Sequence, residues 1–241
     1  MKRVSIVAGL LALLAALWGV GAAAAQEDEC FQTGGQWDGE QGQCVLANTI
    51  EITVRYPLEL TYHDAVRQAV DAYLDGARAA FLQPMVDYGL FPSPGPLVLD
   101  IDYELFGFSP SVAGIKFSAY EYTGGAHGMI TFRTLTFDLD AGRLLTLDEL
   151  FAPGVEPLAT IAGLVQVSLA TQLGDMADAD WIALGAGPDL ANYQNWVLTP
   201  EALTFVFEPY QVAAYAAGPQ TVGIPLAQIA GLLATPFQPV R

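Results

Sequence analysis

Residues 97–139 constrain the fold more than any other stretch. "LVLDIDYELF" places Leu97, Leu99, Ile101, Tyr103 and Leu105 at every second position, with Asp100, Asp102 and Glu104 between them. Period two belongs to a strand with one face buried and the other wet. "GIKFSAYEY" and "MITFRTLTFDL" follow with the same alternation, joined by Thr-Gly-Gly-Ala-His-Gly. A glycine-rich link between two alternating runs reads as a hairpin. In the second arm Ile130 and Phe132 share one parity, while Leu135, Phe137 and Leu139 share the other. Such a change of facing is what a β-bulge produces, so a bulge is expected near Arg133-Thr134.

The remaining elements are arranged around these strands. "NTIEITVRYPLEL" alternates Ile50, Ile52 and Val54 and predicts a strand. Thr61 with Asp64 resembles a capping box. After it, Val66, Val70, Tyr73, Leu74, Ala77 and Phe81 form one apolar helical stripe, with His63 in the first turn. "GLFPSPGPL" breaks regular structure. Thr146 and Glu149 suggest a second capping box opening a short helix. A longer helix follows, with Leu158, Ile161, Leu164, Val165, Leu169 and Leu173 at its core. "NWVLTPEALTFVFEPY" predicts two strands turned at Thr199-Pro200-Glu201, and Pro225 opens a last helix. No strand-helix-strand alternation recurs. The predicted class is α+β, an antiparallel sheet or sheets with helices packed on one side.

The first residues bear on compartment. Met1-Lys2-Arg3 is a short basic region, Val4 to Gly21 is almost wholly apolar, and Ala22 to Ala25 supplies small residues. This predicts a signal peptide over 1–25, cleaved after Ala25. An uncleaved anchor is the alternative, because the apolar run is close to bilayer-spanning length. With the leader removed, the chain is expected to be extracytoplasmic and free of the membrane. Cys30 and Cys44 are the only cysteines and enclose a polar loop. Outside the cytoplasm this spacing predicts a disulfide rather than a metal site, with no cofactor implied. Closing about 15 residues stabilises a loop by roughly 3 kcal/mol in the chain-entropy view. Losing Lys2 and Arg3 leaves seven basic residues against 26 acidic ones, a net charge of −19. Nucleic acid is disfavoured for want of clustered Lys and Arg, and a cationic partner would be attracted.

The stretch Tyr122-Thr123-Gly124-Gly125-Ala126-His127, with Phe207-Glu208-Pro209-Tyr210 and Tyr215 to Gly218, resembles the extracellular domain of RsiV-type anti-sigma factors. Related domains of unknown function occur in a peptidoglycan deacetylase and a secreted mycobacterial immunogen. The resemblance spans about residues 50 to 235. Gly128 stands where many relatives carry proline. The cysteine pair predicts a short disulfide-closed knuckle at 26–48, and the resemblance implies that two halves of one domain follow it, 49–140 and 141–241. It also implies recognition more than catalysis, since the anti-sigma domain binds lysozyme. The expected partner is a cationic protein such as lysozyme, or a cell-wall glycan. The expected contact residues are Tyr122, Thr123, Gly124, Gly125, Ala126, His127, Gly128 and Tyr210.

Three groupings are candidates for chemistry. His127 could serve as the base of an envelope hydrolase acting on peptidoglycan or an ester, or it could build the turn. No Gly-x-Ser-x-Gly occurs, and Ser118 lies within a strand run. Asp100, Asp102 and Glu104 stand about 6.6–6.8 Å apart along one strand face. That spacing suits paired glycosidase carboxylates or a solvated acidic face. Tyr103, Tyr120, Tyr122, Tyr210, Tyr215 and Trp196 form an aromatic set whose members are core or interface anchors.

Overall fold

The computed structural model describes residues 28, 30, 36–45, 49–89 and 95–239. The leader expected over 1–25 lies outside them. Contacts group the chain into two compact units, one holding residues up to 51 with 82–98 and 122–128, the other holding 52–81, 99–121 and 129 onward. Among the described residues no helix is long and apolar enough to cross a membrane.

In the first unit, β1 (Gln36–Asp38) and β2 (Gln43–Val45) form a small antiparallel pair. Asp38 Oδ1 accepts the Glu40 and Gln41 amides at 3.0 Å, the side-chain turn that short acidic residues favour. The expected disulfide joins Cys30 to Cys44 with a Cα–Cα distance of 5.5 Å.

A five-stranded sheet runs in the order β3 (Ile50–Val54), β4 (Leu97–Ser109), β5 (Val112–Tyr122), β6 (Met129–Asp138), β7 (Arg143–Leu144). α1 (Asp64–Tyr88) carries the predicted stripe, burying Val66, Val70, Leu74 and Phe81. Tyr73 of this helix lies 4.8 Å from the Phe117 ring of β5. The helix begins at Asp64, three residues past the expected Thr61 cap, and the Asp64 carboxylate pairs with Arg67 instead.

The bulge does not form. β5 and β6 pair without interruption from Val112↔Asp138 to Glu121↔Met129, Lys116↔Thr134 and Phe117↔Arg133 included. The parity change has another cause. Between residues 134 and 137 the strand is buried on both faces. Leu135 and Phe137 lie on the Phe117 face, while Thr134 and Thr136 lie on the other. Thr134 Oγ1 accepts the Trp196 amide at 2.8 Å.

The elements after residue 144 pack around a core to which Val112 of β5 also contributes. α2 (Leu158–Leu173) buries Ile161, Val165, Leu169 and Leu173 as predicted. They belong to one apolar cluster with Phe205 and Phe207 of β9 (Ala202–Phe207) and with Val222 and Ile224 of β10 (Gln220–Pro225). β8 (Trp196–Leu198) completes a three-stranded antiparallel sheet in the order β10-β9-β8. α3 (Ala179–Gly185) is capped by Asp178, whose carboxylate accepts the Trp181 amide at 2.9 Å. α4 (Leu226–Ile229) follows Pro225. Thr146 and Glu149 do meet, the Thr146 amide donating to Glu149 Oε2 at 2.8 Å, but the helix they open is one 3-10 turn, Asp148–Leu150. That amide, then the Thr146 hydroxyl and Arg143, hold the Glu149 carboxyl below its usual range. The architecture is α+β with antiparallel sheets.

Candidate functional site

The glycine-rich hairpin tip is shaped by backbone conformation. Gly124 and Gly125 have φ of 98° and 103°, values that side chains on Cβ disfavour. A Cβ on Gly125 would meet nothing within 4 Å, so that glycine serves conformation and not close approach. The Tyr122 hydroxyl donates to the Gly125 carbonyl at 3.1 Å and closes the turn. His127 Nδ1 lies 2.9 Å from the Gly128 carbonyl, so the bond needs a proton on that nitrogen. Thr123, Gly125, Ala126 and His127 are exposed, whereas Gly128 is buried and lacks the positive φ of its neighbours. The turn is therefore braced by its own hydrogen bonds, with Thr123 and residues 125–127 exposed. A general base needs a positioned nucleophile and gains from a dry site. His127 itself stands exposed.

The acidic strand face is salt-bridged. Arg55 Nη1 lies 2.8 Å from Asp100 Oδ1 and 3.9 Å from Asp102 Oδ2, and Lys116 Nζ lies 2.6 Å from Glu104 Oε1. No cation-free carboxylate pair remains there to divide acid and base roles between them. Among the described residues no group of three or more His, Cys, Asp or Glu could hold a metal ion.

The aromatic set separates by burial. Trp196 is core, and Tyr103 donates to both Glu59 carboxylate oxygens, at 3.2 and 2.9 Å. Tyr120 is exposed on its strand. Tyr210 is the unusual member. Its φ of 71° is the only positive value at a non-glycine among the described residues, yet its ring is 46% exposed. Such a conformation costs about 1–2 kcal/mol. Neighbours hold it in place: Trp181 Nε1 donates to the Tyr210 carbonyl at 2.9 Å, and the rings of Tyr210 and Tyr215 lie 5.5 Å apart.

Beside Tyr210 in the chain is a pocket of about 440 Å³, lined by Asn192, Gln194, Asn195, Glu208, Pro209 and Gln211 among others. Sequence reading picked out Tyr210 and missed the pocket. Its signal was the polar run Asn192-Tyr193-Gln194-Asn195, which only the fold brings to Glu208.

The comparisons with known proteins agree with this architecture. Residues 148–227 match the family described as Protein of unknown function (DUF3298). The immunogenic protein MPT64 of Mycobacterium tuberculosis is 26% identical over 221 residues, covering 88% of this chain and 91% of that protein. The peptidoglycan-N-acetylmuramic acid deacetylase PdaC of Bacillus subtilis is 26% identical over 126 residues, 52% of this chain but only 27% of that enzyme. The esterase Rv3036c of M. tuberculosis is 29% identical over 158 residues, 64% of this chain and 67% of that protein. A DUF3298 family protein from Pseudomonas aeruginosa PAO1 shares the fold, with a TM-score of 0.53 at 20% identity over 85% of this chain and 91% of that one. The expected resemblance to a domain of unknown function, found also in a deacetylase and a mycobacterial immunogen, is borne out.

Proposed function

We propose that this chain, with its DUF3298 segment, is an exported recognition module of the cell envelope that engages a cationic protein and catalyses nothing itself. Lysozyme is the candidate partner, drawn from the resemblance of the hairpin motif to the RsiV-type domain. The leader pattern and the deacetylase relative support an envelope location. The observation that carries the reading is the state of the cations. Of the six described, Arg55, Arg67, Arg78, Lys116 and Arg143 are each paired with a carboxylate. With 26 acidic residues in the chain, the surface that remains is negative and uncompensated. A positive protein is drawn to such a field, and salt weakens the attraction. Calorimetric titration of residues 26–241 with a C-type lysozyme is expected to show binding at about 0.01 M ionic strength. At about 0.15 M the affinity should drop by about tenfold or more. No heat at the lower salt would remove this partner.

Hydrolysis with His127 as base is the competing reading, motivated by the esterase and deacetylase names among the relatives. If wild-type chain turned over an ester or peptidoglycan and His127→Ala abolished that turnover, the competing reading would replace ours. Under the present reading His127→Ala changes no turnover and perturbs only the partner contact.

A further inference from the structure

The three-stranded sheet ends on β10, and the outer edge of that strand is open. The Leu226 amide donates to the Glu201 carbonyl at 2.9 Å, which fixes the phase of the ladder. In an antiparallel pair, hydrogen-bonded and non-bonded positions alternate. Ile224↔Leu203, Val222↔Phe205 and Gln220↔Phe207 are therefore the bonded pairs, and Thr221 and Gly223 turn their N–H and C=O groups outward. Among the described residues no hydrogen bond reaches those outer groups. Thr221, Gly223 and Pro225 are exposed, whereas Val222 and Ile224 lie in the core. The opposite edge of the sheet is engaged, because the Trp196 amide of β8 donates to Thr134 Oγ1. An open edge is a template for another strand, and proteins commonly blunt it with charged side chains or a bulge. β10 carries neither.

The sequence of this edge selects a second copy of the same strand. A two-fold interface has to be complementary to itself. Antiparallel pairing about an axis at Val222 sets Thr221 against Gly223 of the partner subunit. Each outward amide then meets a facing carbonyl: two amides from each copy, four bonds across the axis. The same register sets Pro225 against Pro219 of the partner subunit. Neither proline has an N–H, so no donor is stranded at either end of the paired run. Charge points the same way. With 26 acidic residues, two copies repel one another over most of their surface. Between Glu208 and Arg241, however, no residue is charged. Nor is any residue of α2, the helix that shares an apolar cluster with Val222 and Ile224. Two such chains meet here without setting carboxylate against carboxylate. A cationic segment finds no counter-charge on this strand.

We infer that two copies of this chain pair through the outer edges of their β10 strands, antiparallel about Val222, joining two three-stranded sheets into one. This goes beyond the recognition reading and does not rest on it. Salt separates the two, since screening weakens attraction to a cationic partner and relieves repulsion between acidic copies. The test is sedimentation velocity of residues 26–241 from about 1 µM to about 1 mM, at ionic strengths of about 0.01 M and about 0.15 M. A monomer–dimer equilibrium that tightens at the higher salt is expected. Thr221→Pro removes an outward amide from each copy and leaves the ladder to β9 intact, a placement an edge strand tolerates. It should raise the dissociation constant by about tenfold or more. Thr221→Glu sets two carboxylates at diagonal cross-strand positions, about 7–8 Å apart, and should act in the same direction. Amide exchange followed by nuclear magnetic resonance reads the edge directly. Thr221 and Gly223 should exchange severalfold more slowly in concentrated than in dilute solution, while Val222 and Ile224, bonded inward to β9, stay unchanged. A chain that remains monomeric throughout overturns the proposal. So does a dimer that loosens with salt or ignores both variants, assembly beyond two copies, or exchange at Thr221 and Gly223 that is indifferent to concentration. Should Thr221→Pro fail to fold, Thr221→Glu and the wild-type exchange pattern decide.

Discussion

Gly185→Ala is expected to destabilise the larger unit by more than about 3 kcal/mol, with an unfolding temperature lower by at least about 6–12 °C. The position closes α3, and a Cβ built there would lie 1.8 Å from the Gln211 carbonyl oxygen and 2.7 Å from its carbon. Both are backbone atoms, so no side-chain rotation relieves the clash. The loop and the helix end would have to part. Parting breaks the bond from Gln211 Nε2 to the Gly185 carbonyl, 3.0 Å in the native structure. It also loosens the strut that keeps Tyr210 in its strained conformation. Thermal unfolding followed by circular dichroism checks this, and a shift of under 2 °C would show that the approach is softer than described. Gly163, on the exposed side of α2, is the control. A Cβ there meets nothing within 4 Å, so Gly163→Ala should be neutral or stabilising by up to about 1 kcal/mol.

Tyr193→Ala should cost about 3–5 kcal/mol, the range for removing a buried aromatic side chain. Tyr193 is 1% exposed and its ring meets those of Phe205 and Phe207 in T-shaped arrangements, with centroids 4.9 and 6.1 Å away. Tyr193→Phe separates the ring from the hydroxyl. That hydroxyl donates to the Ala186 carbonyl at 2.8 Å, but Gln166 Nε2 donates to the same oxygen at 2.9 Å. The acceptor is not orphaned, so the loss should stay near about 1 kcal/mol. The pair also predicts a pH dependence. Burial pushes the Tyr193 phenol far above its ordinary value. A group whose folded pKa is raised contributes stability below its unfolded pKa and loses it as pH rises beyond. The wild-type chain should therefore lose stability above about pH 10, and Tyr193→Phe should lose less. Urea titrations at neutral and alkaline pH compare the two, and equal alkaline losses would assign the effect elsewhere.

Much of the fold could be read from local periodicity, because strands and helices write their burial into spacings of two and of three to four. The Val66 to Phe81 stripe, the Ile161 to Leu173 stripe and the Thr199-Pro200-Glu201 turn all stand where the pattern puts them. Parity in one strand cannot distinguish a bulge from burial on both faces, and β6 is the second case. The Asp100, Asp102 and Glu104 stripe was legible as acidic, but not the source of its cations. Arg55 and Lys116 reach it from other parts of the sheet, and only strand order reveals them. The turn at Gly124 and Gly125 was legible from residue type. Tyr210 gave no such sign, since nothing in a tyrosine announces a left-handed backbone. The pocket needed Asn192, Asn195 and Glu208 together, and their hydrogen-bond partners Leu184, Thr134 and Phe132 are scattered in sequence.

The central claim is that the braced, water-exposed turn is a contact surface. Amide hydrogen exchange, measured on the chain alone and then saturated with lysozyme at low salt, reads this segment by segment. Slower exchange over residues 122–128 in the complex is the result the claim predicts. A complex that leaves exchange at that turn unchanged would contradict it.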